Sequence, residues 1–357
     1  MKRILQLLSV LSVGFLISVS ANPVFAKKGG NGGGGGGEPC VDIDPAAFVY
    51  VAPASGQIGE SIVLSSSSGC TTQILYTSDA GFYDFAYNRS GPSGTVVWTT
   101  DPGRDNSYVI EKLSITFGTE GAVTSITSVD QLSSEVPGEY YLSIDIASSG
   151  QIAVHHLSSN SEAVAVIDII DLFGNSVTTL ATKDSADQVY DLDGGQKWSS
   201  SGKDLYVQGK FTVDGDPWSG ILRYSCGSGG CSIPELVAAG PTADDARPSI
   251  VSVHPDKPGQ IAVAHFVRKK KGTGYYLSIL DVGSESCLDL DFPKSDWNSG
   301  CTIDEEIVAS RRASWHTSDE ILFSVNSRHS QDIWLYTIST GQTTKLIRDG
   351  DSPDSAN

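Results

Sequence analysis

The sequence is poor in positive charge and in methionine. Lysine and arginine number 24 against 42 aspartate and glutamate residues, and the formal net charge is −18. Because nucleic acids and anionic membranes bind basic surfaces, this balance argues against either as the main partner. The chain has one methionine and little helical periodicity, whereas Gly, Ser and Thr separate short runs rich in Val, Ile and Tyr. That composition predicts an all-β fold.

Long apolar runs are absent after residue 26, so we expect no transmembrane segment in the mature chain. Before it, a short basic start precedes an apolar segment from Ile4 to Val19. We therefore predict a signal peptide over residues 1–26, with a membrane anchor as the alternative. Residues 27–38 form a glycine-rich tether, and residues 39–357 form the folded domain.

The six cysteines lack the C-x-x-C spacing and the adjoining histidines of a zinc site. All six follow the signal peptide, and an even number in an exported chain predicts disulfides. The favoured local pairs are Cys226 with Cys231, Cys287 with Cys301, and Cys40 with Cys70.

Short strands joined by tight turns are predicted near the C-terminus. The four strands are centred on Trp315 and on residues Ile321 to Val325, Asp332 to Ile338 and Gln342 to Leu346. A four-stranded antiparallel unit of this kind, when repeated, is a blade of a β-propeller.

Similar apolar runs recur along the chain at a spacing of roughly 50–60 residues, as expected for the second strands of successive blades. The runs are Ala47 to Val51, Thr95 to Trp98, Ile152 to His156, Leu205 to Gln208, Ile261 to His265 and Ile321 to Val325. They predict an all-β, six-bladed propeller. Seven blades are the alternative, if residues 82–140 hold two irregular ones. The first unit lacks an innermost strand, so we expect the C-terminal strand to supply it and close the ring.

The C-terminal unit resembles the repeat of TolB-like (WD40-like) propellers. Their blade begins Trp-Ser-Pro-Asp-Gly and later carries Asp-Ile-Trp or Asp-Ile-Tyr. Here Trp315-His-Thr-Ser-Asp stands at the first motif, and Asp332-Ile-Trp matches the second. The resemblance implies a periplasmic propeller, with secretion as the alternative. We expect no counterpart of the N-terminal α/β domain of TolB, because the segment before the predicted propeller reads as a glycine tether.

Signatures of catalysis are also lacking. The Gly-x-Ser-x-Gly elbow of serine hydrolases occurs nowhere in the chain. The sequence therefore favours a non-catalytic scaffold that binds an envelope protein or ligand. The alternative is a metal-dependent lyase or hydrolase that acts on a glycan or peptide at the propeller funnel.

Histidines are the candidate ligands for such a metal. His155 and His156 end one second strand, and His265 ends another at the matching position. Matching positions in different blades can converge on one face of the ring, and imidazole is a common ligand of divalent metals. Oligogalacturonate lyases, which have TolB-like repeats, use histidines from several blades in this way. The structural alternative is a histidine that is hydrogen-bonded to a loop.

Two further segments are candidates for binding. Arg268, Lys269, Lys270 and Lys271 form a basic hairpin tip that suits an acidic partner, a phosphate or a lipid head group, or is a solvated turn. Asp191 to Gly194 and Asp214 to Asp216 are candidate calcium loops. They lack the EF-hand pattern, and Asp-Gly is first a hairpin turn signal. No cofactor is expected beyond a possible divalent metal or calcium.

Overall fold

The computed structural model describes residues 47–54, 59–119, 121–158, 165–241, 248–257, 259–269, 272–281, 313–326 and 331–355. Every regular element in these ranges is a β-strand. The predicted signal peptide and tether lie outside the described residues, as do Cys40, Cys287, Cys301, Lys270 and Lys271.

The strands are numbered in chain order. The first eight are β1 (Phe48–Pro53), β2 (Glu60–Ser65), β3 (Thr72–Ser78), β4 (Asp84–Ser90), β5 (Ser93–Thr100), β6 (Val109–Phe117), β7 (Val123–Ile126) and β8 (Asp130–Gln131). The next ten are β9 (Glu139–Ile146), β10 (Ile152–Ser158), β11 (Ala165–Ile170), β12 (Ser176–Thr179), β13 (Asp191–Leu192), β14 (Lys197–Trp198), β15 (Asp204–Val213), β16 (Asp216–Gly227), β17 (Gly230–Cys231) and β18 (Glu235–Pro241). The last eight are β19 (Pro248–Val253), β20 (Gln260–Lys269), β21 (Gly272–Asp281), β22 (Ala313–Thr317), β23 (Glu320–Asn326), β24 (Gln331–Thr337), β25 (Gln342–Arg348) and β26 (Asp351–Ser355).

These strands form antiparallel sheets, which we number along the chain. Sheet 1 has the order β26-β1-β2-β3, sheet 2 is β4-β5-β6-β7 with β8 also on β6, and sheet 3 is β9-β10-β11-β12. Sheet 4 is β13-β15-β16-β17 with β14 on β15 and β18 on β16, sheet 5 is β19-β20-β21, and sheet 6 is β22-β23-β24-β25. This is a β-propeller of antiparallel blades, as the sequence predicts. The region over residues 82–140 contributes one sheet rather than two.

The apolar runs used for the prediction lie in β1, β5, β10, β15, β20 and β23, the second strand of each sheet. Val96, Val97 and Trp98 in β5 are all buried although neighbouring residues of a strand face opposite sides. A strand covered on both faces needs such a continuous apolar run. The cover comes from the adjacent sheets of the propeller.

Apolar clusters fill the spaces between neighbouring sheets. They lie between sheets 1 and 2, 2 and 3, 3 and 4, 4 and 5, 5 and 6, and 6 and 1. The last of these combines Leu322 and Ile333 of sheet 6 with Phe48 of sheet 1. Burial of apolar surface between sheets is therefore what holds one sheet on the next.

Candidate functional site

Four charged side chains from the first strands of sheets 1 to 4 meet in the interior. They are Asp354 on β26, Asp84 on β4, Asp145 on β9 and Lys197 on β14, and we call them the inner charge cluster. The Lys197 Nζ donates to Asp145 Oδ1 at 3.0 Å. One ammonium group therefore faces three carboxyl groups.

Each of the three carboxylates also accepts a hydrogen bond from a backbone N–H in the following sheet. The bonds are Tyr87 N–H to Asp354 Oδ2 at 2.7 Å, Ile144 N–H to Asp84 Oδ2 at 3.0 Å, and Trp198 N–H to Asp145 Oδ2 at 2.7 Å. Serine does the same at two other junctions, where Trp315 N–H donates to Ser252 Oγ and Ser355 N–H donates to Ser314 Oγ, both at 3.0 Å. Polar side chains of the first strands therefore join neighbouring sheets at five junctions.

The cluster is electrostatically unbalanced. Burial raises the pKa of the Asp145 carboxyl, although Lys197 and the Trp198 N–H lower it. Burial likewise raises the pKa of Asp354 to about 7, with Lys197 opposing this effect and Asp145 adding to it. Burial lowers the pKa of Lys197, but the surrounding carboxylates outweigh it and raise that pKa above its usual value. Lys197 is therefore held as a cation beside Asp145 and Asp354, two carboxyl groups that resist ionisation.

A small cavity adjoins the cluster. It has a volume of about 10 Å³, which is the space of about one water molecule. Its lining includes Tyr87, Asp145, Ser148, Trp198, Ser200 and Asp354. Hydroxyl and carboxyl groups dominate this lining, so the cavity suits a polar or cationic group rather than an apolar one.

β10 presents the two predicted metal ligands, His155 and His156, to different surroundings. Successive side chains of a strand point to opposite faces of its sheet. The His156 imidazole contacts Glu139 through Nε2 and Asp168 through Nδ1, and its ring lies against Tyr141, tilted by 35° with 5.1 Å between ring centroids. It therefore ties together β9, β10 and β11 of sheet 3.

His155 is buried on the other side of the strand. Its Nε2 has no hydrogen-bond partner within the described residues, and burial lowers its pKa. Its Nδ1 lies only 2.6 Å from where a Cβ on Gly194 would be, so this glycine permits the close approach of sheet 4. His265 lies in β20, and its side chain is outside the described set. The described side chains include no group of three or more His, Cys, Asp or Glu arranged to hold a metal. A metal at His155, His156 and His265 stays a prediction.

The other sequence-based candidates have local partners. Cys226 and Cys231 form the predicted disulfide, and Cys70 is also disulfide-bonded. Asp214 and Gly215 have positive φ angles of 52° and 92° between β15 and β16, which is the hairpin-turn conformation favoured by Asp-Gly. Asp193 is 2.6 Å from Lys210 in an ion pair.

Replacement of His156 by glutamine is expected to destabilise the protein more at acidic pH than at alkaline pH. The hydrogen bond that the imidazole donates to Asp168 raises the pKa of His156 in the folded state, with burial opposing it and Glu139 adding to it. That stabilisation is fully present below the unfolded-state pKa of about 6.5 and is lost as the pH rises through the folded-state pKa. Urea unfolding of both proteins across this range measures the difference. A difference that does not change with pH would contradict the ion-pair explanation.

Among the described residues, no helix is long and apolar enough to cross a bilayer.

Comparison with known proteins gives a structural likeness only. No family model matches the sequence, and no curated protein matches it. The fold is similar to the crystal structure of TolB from Acinetobacter baumannii, with a TM-score of 0.55 and 12% identity over 87% of this chain and 66% of that one. It is also similar to a nidogen/laminin complex structure, with a TM-score of 0.51 and 8% identity over 87% of this chain and 98% of that one. The chain is thus a β-propeller, and its architecture is TolB-like.

The inner charge cluster was not predicted from the sequence. Its only local signal is a charged residue between apolar ones in a strand, as in Ile144-Asp145-Ile146. The partners of that residue come from three other sheets.

Proposed function

We propose that the six sheets are the blades of one closed ring. Three observations support this proposal. β26 pairs antiparallel with β1, so the C-terminal strand joins the first sheet. The first strands contact one another in the cyclic order β26, β4, β9, β14, β19, β22 and back to β26. An apolar cluster also joins sheet 6 to sheet 1. A closed ring of blades leaves only short, protected sheet edges.

We further propose that the protein is an exported, non-catalytic scaffold that binds a protein or ligand of the cell envelope. Its predicted signal peptide supports export to the periplasm, with secretion as the alternative. The Cys226–Cys231 disulfide fits an oxidising compartment. The TolB-like fold fits a scaffold, and the similar nidogen/laminin structure is of a complex.

The binding surface that we propose is the mouth of the cavity beside the inner charge cluster. The observation that carries this proposal is the excess of carboxyl groups over ammonium groups around a polar cavity. A cationic group of a partner would be drawn to this mouth, because opposite charge steers association and fixes orientation. The basic segment from Arg268 to Lys271 is a second proposed contact, for an acidic region of a partner.

Site-specific photo-crosslinking in the producing cells tests the proposed surface. A photo-reactive residue at Ser200, on the cavity wall, is expected to give a discrete adduct in the periplasmic fraction. The yield should fall as salt rises, because exposed charge interactions are screened. The matched control is Thr343, an exposed residue of the outer strand β25. Equal adducts at both positions, or a yield that salt does not change, would count against the cavity mouth as the binding surface.

A further inference from the structure

β26 is held to its sheet by few backbone pairs. Its register with β1 comprises Phe48 with Ser355, Val49 with Asp354, and Val51 with Asp351, and it shifts between Val49 and Val51. By comparison, β1 and β2 are paired without interruption at six positions. Asp349 and Ser352 also have positive φ angles of 58° and 56°, which L-residues rarely adopt. Side-chain contacts must therefore contribute much of what holds β26.

Asp354 supplies contacts to two neighbouring sheets. Its Oδ2 accepts the Tyr87 N–H of sheet 2 at 2.7 Å, and Ser314 Oγ of sheet 6 donates to its Oδ1 at 3.5 Å. We propose that the Asp354 carboxyl is a proton-operated latch: the protonated group holds β26 in the ring, and loss of the proton loosens β26 from β1.

The charges around Asp354 explain why ionisation of its carboxyl group weakens the packing of β26 in the ring. Lys197 on β14, Asp145 on β9 and Asp84 on β4 act on its charge. The strands packed against β26 also carry titratable side chains, which are Tyr50 on β1, Tyr87 and Arg89 on β4, His316 on β22, Glu320 on β23, and Asp332 and Tyr336 on β24; Asp351 lies on β26 itself. Lys197 is the cation that favours ionised Asp354, but it already donates to Asp145 at 3.0 Å. An ionised Asp354 therefore adds a third carboxylate around one ammonium, in a site where burial weakens hydration.

Proton linkage gives the direction of the effect. Burial first, and then Asp145 and Asp84, raise the pKa of Asp354 from 3.8 to about 7, against the lowering effects of Lys197 and the Tyr87 N–H. The docked state therefore binds the proton more tightly than the released state. Docking is strongest in acid, and this stabilisation is lost as the pH rises towards and through about 7. Between about pH 5 and pH 8 the linkage raises the opening constant of β26 by up to about 100-fold.

Amide hydrogen exchange of the full chain tests the latch. After correction for the intrinsic exchange rate, protection of the β26 amides is expected to fall at least about tenfold between about pH 5 and pH 8, while the amides of β10 keep theirs. The variant Asp354→Asn keeps an oxygen that accepts from Tyr87 N–H but cannot ionise, so its β26 protection should not change with pH. Asp216→Asn, at an exposed hairpin position, is the matched control and should behave as the wild type does.

Two results would overturn the latch. One is that protection of the β26 amides in the wild-type protein does not change with pH, or that it falls together with protection of the β10 amides. The other is the same pH dependence in Asp354→Asn as in the wild type. If Asp354→Asn does not fold, the comparison of β26 with β10 in the wild-type protein still decides between the outcomes.

Discussion

Replacement of Lys197 by methionine is expected to lower the free energy of unfolding by about 3–5 kcal/mol. Methionine keeps much of the side-chain length but removes the ammonium group that faces Asp84, Asp145 and Asp354. Asp145 would lose its bond from Nζ at 3.0 Å while its side chain stays 11% exposed. Removal of one partner from a buried ion pair is costly because the remaining charge has no counter-ion.

The matched control for Lys197 is Lys210→Met. Lys210 pairs with Asp193 at 2.6 Å, but both side chains are about one-third exposed, at 30% and 36%. Ion pairs of this exposure contribute about 0–1 kcal/mol. Urea unfolding of the two variants measures the contrast. Similar losses of unfolding free energy in both variants would show that the inner charge cluster stabilises the fold no more than a surface ion pair does. The loss in Lys197→Met should also shrink in acid, where Asp145 and Asp354 become protonated.

Replacement of Trp98 by alanine is expected to cost about 3–5 kcal/mol. Trp98 is fully buried in the apolar cluster between sheets 1 and 2, and it stacks on Tyr76 with 5.0 Å between ring centroids. Its Nε1–H donates to Glu111 Oε2 at 2.8 Å. The variant therefore loses packing and leaves a cavity, and it also leaves a half-buried carboxylate without a donor.

Trp98→Phe and Phe173→Ala define the controls for this effect. Phenylalanine keeps most of the apolar volume but not the N–H, so the difference between the two Trp98 variants separates packing from the hydrogen bond. Trp98→Phe should also raise the pKa of Glu111, because burial already raises it and the Trp98 bond opposes that shift. Phe173 is 82% exposed, and its removal should change stability by less than about 0.5 kcal/mol. Thermal unfolding of all three variants provides the test, and a large loss in Phe173→Ala would contradict this account of the core.

The blade pattern could be predicted from the sequence because it is local. A second strand covered on both faces requires a continuous apolar run. Such a run can be recognised in the sequence without knowing which strands lie beside it. Thr95 to Trp98 and Leu205 to Gln208 are examples, and both lie in second strands. The Cys226–Cys231 disulfide was predictable for the same reason, since five positions separate its cysteines across one turn.

The inner charge cluster could not be predicted because its members are distant in sequence. Its members come from four sheets, and they are Asp84, Asp145, Lys197 and Asp354. Their charges interact only because the first strands of these sheets come together in the fold. The sequence also could not show how the histidines are oriented. His156 and His265 match in the repeat and His155 adjoins His156, but neighbouring side chains of one strand face opposite ways, so His155 and His156 have different surroundings. A metal at these histidines stays a prediction.

The backbone N–H groups that bond between first strands all donate in one direction. At five junctions, a side chain of one sheet accepts the N–H of the sheet that follows it in the proposed ring. A blade can therefore be inserted or exchanged during evolution if it brings a single acceptor, either Asp or Ser, because every strand already carries backbone donors. Such modular assembly places little demand on the remaining sequence of a blade. Repeats that diverge almost beyond recognition can consequently retain a common architecture.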